Sequence, residues 1–558
     1  MPRKNKKKRS AHPKNVSRSP RPAAAAVAVA SDEKRFWPAL ARALNYRVPV
    51  LVVVVWAFMY LPRPFKLGFY CDDWYTLVEP THATAPFSLA RFGQFVGVYT
   101  NDGSRPVAGV LEFLLSSAFG SSAMAFQWAG IVFVLIAALS LRSLLNGLLA
   151  AFCEYRSLAA DWAAVFWMAM PWMLAATAWP QMVHGLLAQI LFTEAARTLA
   201  HRGPLTAKVV VRFALVLMAS TLAYEAFYFQ IFLVIGLWAF WPGVGRHGRR
   251  ETFMLTSIAC IAQAIAISLN RYVAHLDPSS SKTLNVQWRS LLLANSVHFP
   301  AVLRASLSDY GSLWTICVYS LLAIALCLVV MGMIRKSQRS LAKAVLLVLL
   351  LAVVSFGIST TVYSLAGYGF THAGIESRSL FPASLALSIA LFGLLACSMV
   401  RANAVLKGGL VLPAIGIVVT AAVAQHATLQ DWAYVWQQER RIVAAAPVNE
   451  ISRLPTGSSI LYVGPSYYRN LVIFGASWDL TYAVFSRKPL SENRKPDQGV
   501  ITIHPATDLY KWSWDGSYLT QDLPGYWTQK SPVAHLYVWD YTRSRLNGVG
   551  AGFKWPPS

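Results

Sequence analysis

The chain has 558 residues, 56% of them hydrophobic and only 13% charged, where a soluble domain usually carries about 25% charged residues. That composition excludes an ordinary soluble enzyme and predicts a polytopic membrane protein. The formal net charge of +25 does not point to nucleic acid, because it is concentrated where a membrane protein places it. Nine Lys or Arg fall in the first 21 residues, and the other clusters separate apolar runs, as the positive-inside pattern requires.

Residues 1–35 are basic and rich in Pro, Ala and Ser, and are read as a disordered inner tail that also attracts anionic lipid. The apolar run that follows has no clear small-residue cleavage site, so no cleavable signal is expected. The first span covers Phe36–Leu61. Pro62 to about Ser122 form the first external loop, which holds Gly68-Phe69-Tyr70-Cys71-Asp72-Asp73-Trp74-Tyr75 and later Gly103-Ser104-Arg105-Pro106. Val107–Phe119 reads as a helix lying along the interface. Further spans are predicted over Ala123–Leu145, Leu158–Ala178, His184–Leu199, Val209–Leu222, Ala226–Trp241, Thr252–Leu269, Ser312–Ile334, Ala344–Leu365, Leu380–Val400 and Gly409–Gln425. A second interfacial helix is expected over Trp288–Arg304.

This gives about eleven spans of roughly 20 residues each. The basic clusters at 201–208, 246–250, 335–343 and 401–407 all fall on the inner side, with the N-terminus inside and the C-terminus outside. Residues 36–427 thus read as a transmembrane domain and 428–558 as an extracytoplasmic one. The latter is polar and rich in Trp and Tyr. Ser459–Val463, Val500–Ile503 and Ala534–Trp539 read as strands and Tyr467–Phe485 as a helix, making a small mixed α/β domain.

Asp72 and Asp73 are the leading candidates for chemistry. Phe69, Tyr70, Trp74 and Tyr75 bracket them, so partial desolvation is expected, and adjacent acids raise one another's pKa. A carboxylate poised in that way takes a proton from a hydroxyl group. The bland alternative is a solvated turn or a helix N-cap. Tyr224-Glu225 lies at the outer junction of two spans, where a Glu in apolar surroundings needs a partner, such as Arg378, or a helix dipole. Glu376-Ser377-Arg378 lies at the outer start of another span. Its arginine fork suits a phosphate, against simple snorkelling as the alternative. Arg105 is a further phosphate candidate. Cys71 reads as a packed small residue. His184, His298 and His372 are expected outside, with no metal spacing. Glu194 and Arg197 are expected to pair along one helix face. Walker, dinucleotide-binding and zinc motifs are absent.

A first span, an acidic pair at its outer end, a long external loop with interfacial helices, many spans and a C-terminal external domain together resemble the GT-C superfamily of integral membrane glycosyltransferases. Protein O-mannosyltransferases and bacterial lipid A aminoarabinose transferases belong to it. Those families carry an Asp-Glu pair in the corresponding loop. Asp72-Asp73 departs at the second position and is similar to the pair of bacterial relatives that glucosylate surface polysaccharide. By position Asp72 matches the proposed base. Arg378, with Leu380-Phe381-Pro382, is similar to the segment near the donor phosphate.

The resemblance implies a polyprenyl-phosphate sugar as donor, an extracytoplasmic acceptor and direct displacement at the anomeric carbon. The sugar of the donor would lie outside the membrane, and the basic, Trp- and Ala-rich composition with its N-terminal tail suggests a bacterial inner membrane with a periplasmic active site. Glu225, Tyr224 and Glu376 are grouped with Arg378 and Arg105 as substrate-binding candidates. A divalent metal beside the paired acids is left open. Two rival readings are a flippase for lipid-linked glycans, which would carry charges at mid-membrane depth, and a non-catalytic envelope assembly protein, which would tolerate Asp72→Asn.

Overall fold

The computed structural model describes residues 49–71, 73–78, 85–103, 105–148, 156–199, 205–227, 230–231, 249–276, 375–385, 387–388, 404–455, 457–469, 471–474, 477–487, 501–505, 511–523 and 527–549, with isolated positions between 301 and 363. The expected basic tail, Trp288–Arg304 for the most part, and most of the spans predicted over 226–241, 312–334, 344–365 and 380–400 lie outside these residues.

Within them the protein is mostly helical, with a C-terminal sheet region. Helix α1 (Val50–Tyr60) is apolar on every face. Its Val50, Val54 and Phe58 are exposed at four-residue intervals, so one stripe of the helix points away from the protein. The inward side is tied down by hydrogen bonds, from Trp56 Nε1 to Ile131 O at 2.7 Å and from the Tyr60 hydroxyl to Met168 O at 2.7 Å. Arg63, one turn beyond α1, is wholly buried. It donates to Met59 O, Thr177 Oγ1 and Gln425 Oε1 at 3.1, 2.9 and 2.8 Å, and its guanidinium lies 3.8 Å from the Tyr60 ring centre.

Helices α2 (Leu89–Gly103) and α3 (Pro106–Phe119) form a hairpin in the segment predicted as the first external loop. They approach closely at Gly109, where a Cβ would stand 2.8 Å from Val96 Cα and 2.9 Å from Phe95 O. α4 (Ala123–Leu148) matches the predicted second span. The predicted third span, Leu158–Ala178, is not continuous. α5 (Arg156–Ala169) stops, a 3₁₀ turn occupies Pro171–Met173, and a short α6 (Leu174–Ala178) follows. Pro171 causes the break, because its ring disfavours helix at the preceding residue and it has no N–H to donate.

Next come α7 (Val183–Leu199), α8 (Ala207–Ala223) and α9 (Arg249–Leu276). Thr206 caps α8, its Oγ1 accepting from Val209 N at 3.4 Å. Glu194 and Arg197 pair at 2.6 Å along α7, as their spacing predicts. Among the described residues two helical stretches, Ala123–Gly147 and Arg250–Leu269, are long and apolar enough to cross a membrane. The eleven predicted spans are therefore not all present among the described residues. On α9, Phe253, Ile261, Ile265 and Leu269 are exposed, an apolar outward stripe of the kind that lipid covers and water does not favour.

α10 (Ala404–Ala445) is one helix of 42 residues with Pro413 inside it. It contains the predicted last span and runs on past residue 428 without a break. After a short α11 (Val448–Ile451), strands β1 (Ser458–Val463), β4 (Ile501–Pro505), β8 (Leu536–Asp540) and β9 (Arg545–Gly548) form one sheet in the order β4-β1-β8-β9. The first three strands are parallel, and β9 is antiparallel to β8. β1 is the central strand, and its Ile460, Leu461 and Tyr462 are fully buried, as a strand covered on both faces requires.

The three predicted strands correspond to β1, β4 and β8. The predicted helix Tyr467–Phe485 is only partly right. A hairpin of β2 (Tyr467–Tyr468) and β3 (Leu471–Val472) comes first, and α12 (Ser477–Arg487) follows. Flanking aromatic and β-branched residues favour strand there. β5 (Lys511–Trp514), β6 (Tyr518–Leu523) and β7 (Trp527–Pro532) make a separate antiparallel sheet.

Candidate functional site

The acid-bearing loop is clamped from three sides. Gln127 of α4 donates to Gly68 O and Ala178 O at 2.8 and 2.7 Å. Trp179 Nε1 donates to Tyr70 O at 3.1 Å. From α10, the Trp432 ring meets Tyr70 edge-on at 4.7 Å, and the Tyr70 hydroxyl donates to Trp432 O at 3.1 Å. Trp436 lies so close over Gly68 that a Cβ there would fall 2.0 Å from its ring; only glycine fits under that indole. Just after the loop, Trp74 Nε1 donates to the buried Glu439 at 3.2 Å.

Asp73 closes the loop on itself. Its backbone N–H donates to Tyr70 O at 3.0 Å, while Tyr70 N–H donates back to Asp73 Oδ2 at 2.8 Å. The other carboxylate oxygen accepts from Gln181 N–H at 3.0 Å. Asp73 is wholly buried, and its position is that of a capping group holding a turn rather than of a solvated base. Cys71, inside the turn, has φ +44°, a left-handed conformation that costs roughly 1–2 kcal/mol for a residue with a Cβ. It is buried, with Sγ 3.9 Å from Val472 O, which fits the expected packed small residue. Asp72 lies outside the described residues.

Arg105, Tyr224, Glu225 and Arg378 come together from three other stretches of chain. Arg105, at the start of α3, makes a bidentate pair with Glu225, its Nε donating to Oε2 at 2.6 Å and its Nη2 to Oε1. Glu225 thus has Arg105 as its ion-pair partner, not the Arg378 suggested by sequence. Burial lowers the Arg105 pKa, but the Glu225 carboxylate outweighs it and holds the guanidinium above its ordinary value. The guanidinium lies 4.7 Å from the Tyr224 ring centre, and the Tyr224 hydroxyl pairs with that of Tyr363. Arg378 and Glu376 share a 3₁₀ turn, Ile375–Leu380. The Arg378 guanidinium stacks 5.0 Å from the Trp179 ring, the same indole that holds Tyr70 O. Ser377 anchors this turn through a hydrogen bond to Trp172 O at 3.2 Å.

Two residues not singled out as chemical candidates complete the cluster. His184, the second residue of α7, is 1% exposed. Its ring stands edge-on to Tyr99 and Tyr224, at 5.8 and 5.3 Å. Glu112, wholly buried on α3, places Oε1 3.8 Å from His184 Nδ1. The signal for Glu112 was in the sequence: it is the one charged side chain in Pro106–Phe119, and an acid alone on an apolar helix needs a reason to be there. His298 and His372 lie outside the described residues. Among those residues no group of three or more His, Cys, Asp or Glu is placed to hold a metal ion.

No protein-family model matches the sequence, and no curated protein matches it. Among solved structures the chain is similar to the archaeal oligosaccharyltransferase AglB from Archaeoglobus fulgidus, in complex with an inhibitory peptide and a dolichol-phosphate. The TM-score is 0.41 and the identity 12%, over 81% of this chain and 64% of that one. This chain therefore spans less than two thirds of that protein's length. A likeness at this level assigns neither a family nor an activity.

Proposed function

We propose that this protein is a membrane glycosyltransferase that moves a sugar from a polyprenyl-phosphate donor to an extracytoplasmic acceptor. The observation that carries the reading is the convergence of Asp73, Arg105, Glu225, Tyr224 and Arg378 on one largely buried cluster with Arg105, Glu225 and Arg378 at its partly exposed edge, joined through Trp179, Gln181 and His184. Outward apolar stripes on α1 and α9 support a membrane setting.

In this reading the acceptor hydroxyl oxygen attacks the anomeric carbon. The bond from that carbon to the phosphate oxygen breaks, Asp72 takes the hydroxyl proton, and polyprenyl phosphate leaves. Asp73 positions the turn that carries Asp72. Arg378 offsets charge on the departing phosphate, where a fixed donor is worth most in a water-poor site. Arg105, neutralised by Glu225, shapes the cluster and contributes less net charge. Tyr224 borders the donor side, and Glu376 is assigned to donor binding by its place beside Arg378 in sequence. A divalent metal beside the acids remains compatible with this scheme.

The test is donor consumption by purified protein in liposomes. A panel of polyprenyl-phosphate sugars and a crude envelope acceptor would be supplied, with Asp72→Asn alongside. Release of polyprenyl phosphate by the wild type alone is expected, with a loss of about 10²-fold or more in the variant. Equal release by both removes Asp72 as the base. Donor movement across the bilayer without release would favour a flippase.

A further inference from the structure

Glu112 and His184 are the least satisfied polar pair beside the site. Neither carboxylate oxygen of Glu112 has a hydrogen-bond partner among the described residues, and the His184 ring has none there beyond the neighbouring Gln181 backbone. The two side chains are 0% and 1% exposed, so bulk solvent does not reach them. A charged Glu–His pair in such a place would cost several kcal/mol per ion, and among the described residues no hydrogen bond to Glu112 offsets it. At 3.8 Å between Oε1 and Nδ1, a small side-chain rotation gives hydrogen-bond distance.

We infer that Glu112 and His184 form a one-proton dyad, in which a neutral Glu112 carboxylic acid donates its O–H to Nδ1 of a neutral His184. The pair positions the proposed transfer site by packing a polar but uncharged group beside the acid-bearing loop. No bond is made or broken: one proton stays on Glu112, and His184 Nδ1 accepts it as a hydrogen bond. Burial pushes the Glu112 carboxyl well above its ordinary range, and the Asp73 charge pushes it the same way.

The charged and titratable groups around the dyad fit this assignment. Asp73 faces it from the turn packed on α3, Tyr99 from α2, and Tyr224 from the end of α8. The Arg105 charge is offset by Glu225, and Arg378 stands over Trp179. A second carboxylate here would repel an anionic donor phosphate that Arg378 attracts. A neutral dyad leaves that attraction intact. The effect on turnover rests on the glycosyltransferase reading; the dyad does not.

Infrared difference spectra of the full chain in nanodiscs, wild type against Glu112→Gln at pH 7, test the dyad without any donor. The expected result is a protonated-carboxyl stretch present only in the wild type. His184→Gln is expected to move both its frequency and the pH at which it vanishes. Absence of the band overturns the neutral acid, and a band indifferent to His184→Gln overturns the pairing. Should Glu112→Gln fail to fold, ring-¹⁵N spectra of wild type against His184→Gln give the His184 state, and an imidazolium overturns the dyad.

Once donor turnover is measured, Glu112→Gln is expected to extend activity to higher pH. Glu112→Leu is expected to lower kcat with KM unchanged. Superimposable pH profiles for wild type and Glu112→Gln overturn the positioning role. A failed donor assay leaves the spectra standing, and a missing band leaves the transferase reading standing.

Discussion

Arg63 and Glu112 are both buried charged-type side chains, and their surroundings treat them in opposite ways. Around Arg63, where α1, α5, α6 and α10 meet, the guanidinium donates to a carbonyl, a hydroxyl and an amide and lies over an aromatic ring. Around Glu112, where α3 meets α7, both carboxyl oxygens lack a donor among the described residues. The first arrangement is what a structural tie looks like. Every partner is fixed by the fold, and the group has nothing left to do. The second is costly to keep unless the group does something the folded chain alone does not use, and buried orphan atoms of this kind occur at functional sites.

Mutations should separate the two regions. The largest effect is expected from Arg63→Ala, which opens a cavity and strands the Gln425 oxygen, for a loss of about 3–5 kcal/mol. Denaturant unfolding in detergent would read it, and a loss under 1 kcal/mol would remove Arg63 as the tie. Gly109→Ala comes next. It drives a methyl into the α2 backbone at Val96 and Phe95, and overpacking costs about 1–3 kcal/mol; a shift in thermal midpoint checks it.

Glu112→Gln has a pH-dependent signature instead of a fixed loss. An unfolded Glu ionises above its ordinary value of 4.5, whereas the folded carboxyl holds its proton well above that value. The folded state then binds more protons, so wild-type stability falls as pH rises from 4.5 towards the folded pKa. The variant lacks this loss. Its thermal midpoint should gain on the wild type with rising pH and run parallel to it below 4.5. A constant offset at all pH values would mean that Glu112 is ionised in the fold. The smallest effect belongs to Glu194→Ala, which breaks an exposed i,i+3 pair worth about 0.2–0.5 kcal/mol.

The sequence made local features legible and left the long-range ones hidden. β1, β4 and β8 could be read because short apolar strands between turn residues announce themselves within a few positions. The Glu194–Arg197 pair could be read because helix geometry puts i and i+3 together. The break at Pro171 was also local and was overridden by the apolar length of the predicted span. Glu225 was recognised as needing a partner, but choosing Arg105 over Arg378 required knowing that α3 passes α8, 120 residues apart in sequence. The burial of Arg63 depends on Gln425, 362 positions away. Nothing in Pro62-Arg63-Pro64 hints at that. Glu112 could have been noticed by its isolation, but its nearness to His184 could not.

The length of α10 has a mechanical consequence. At 1.5 Å per residue its 42 residues reach about 63 Å, twice the roughly 30 Å of hydrocarbon in a bilayer. Trp432, Trp436 and Glu439 ride on this shaft as teeth that engage Tyr70, Gly68 and Trp74. One residue inserted between Pro413 and Trp432 would turn the teeth by about 100° and lift them by about 1.5 Å, disengaging all three at once. Seven would bring them back to within about 20° of their bearing, but about 10 Å too high. The acid-bearing turn is therefore keyed to the rotational phase of a helix more than 330 residues further along the chain.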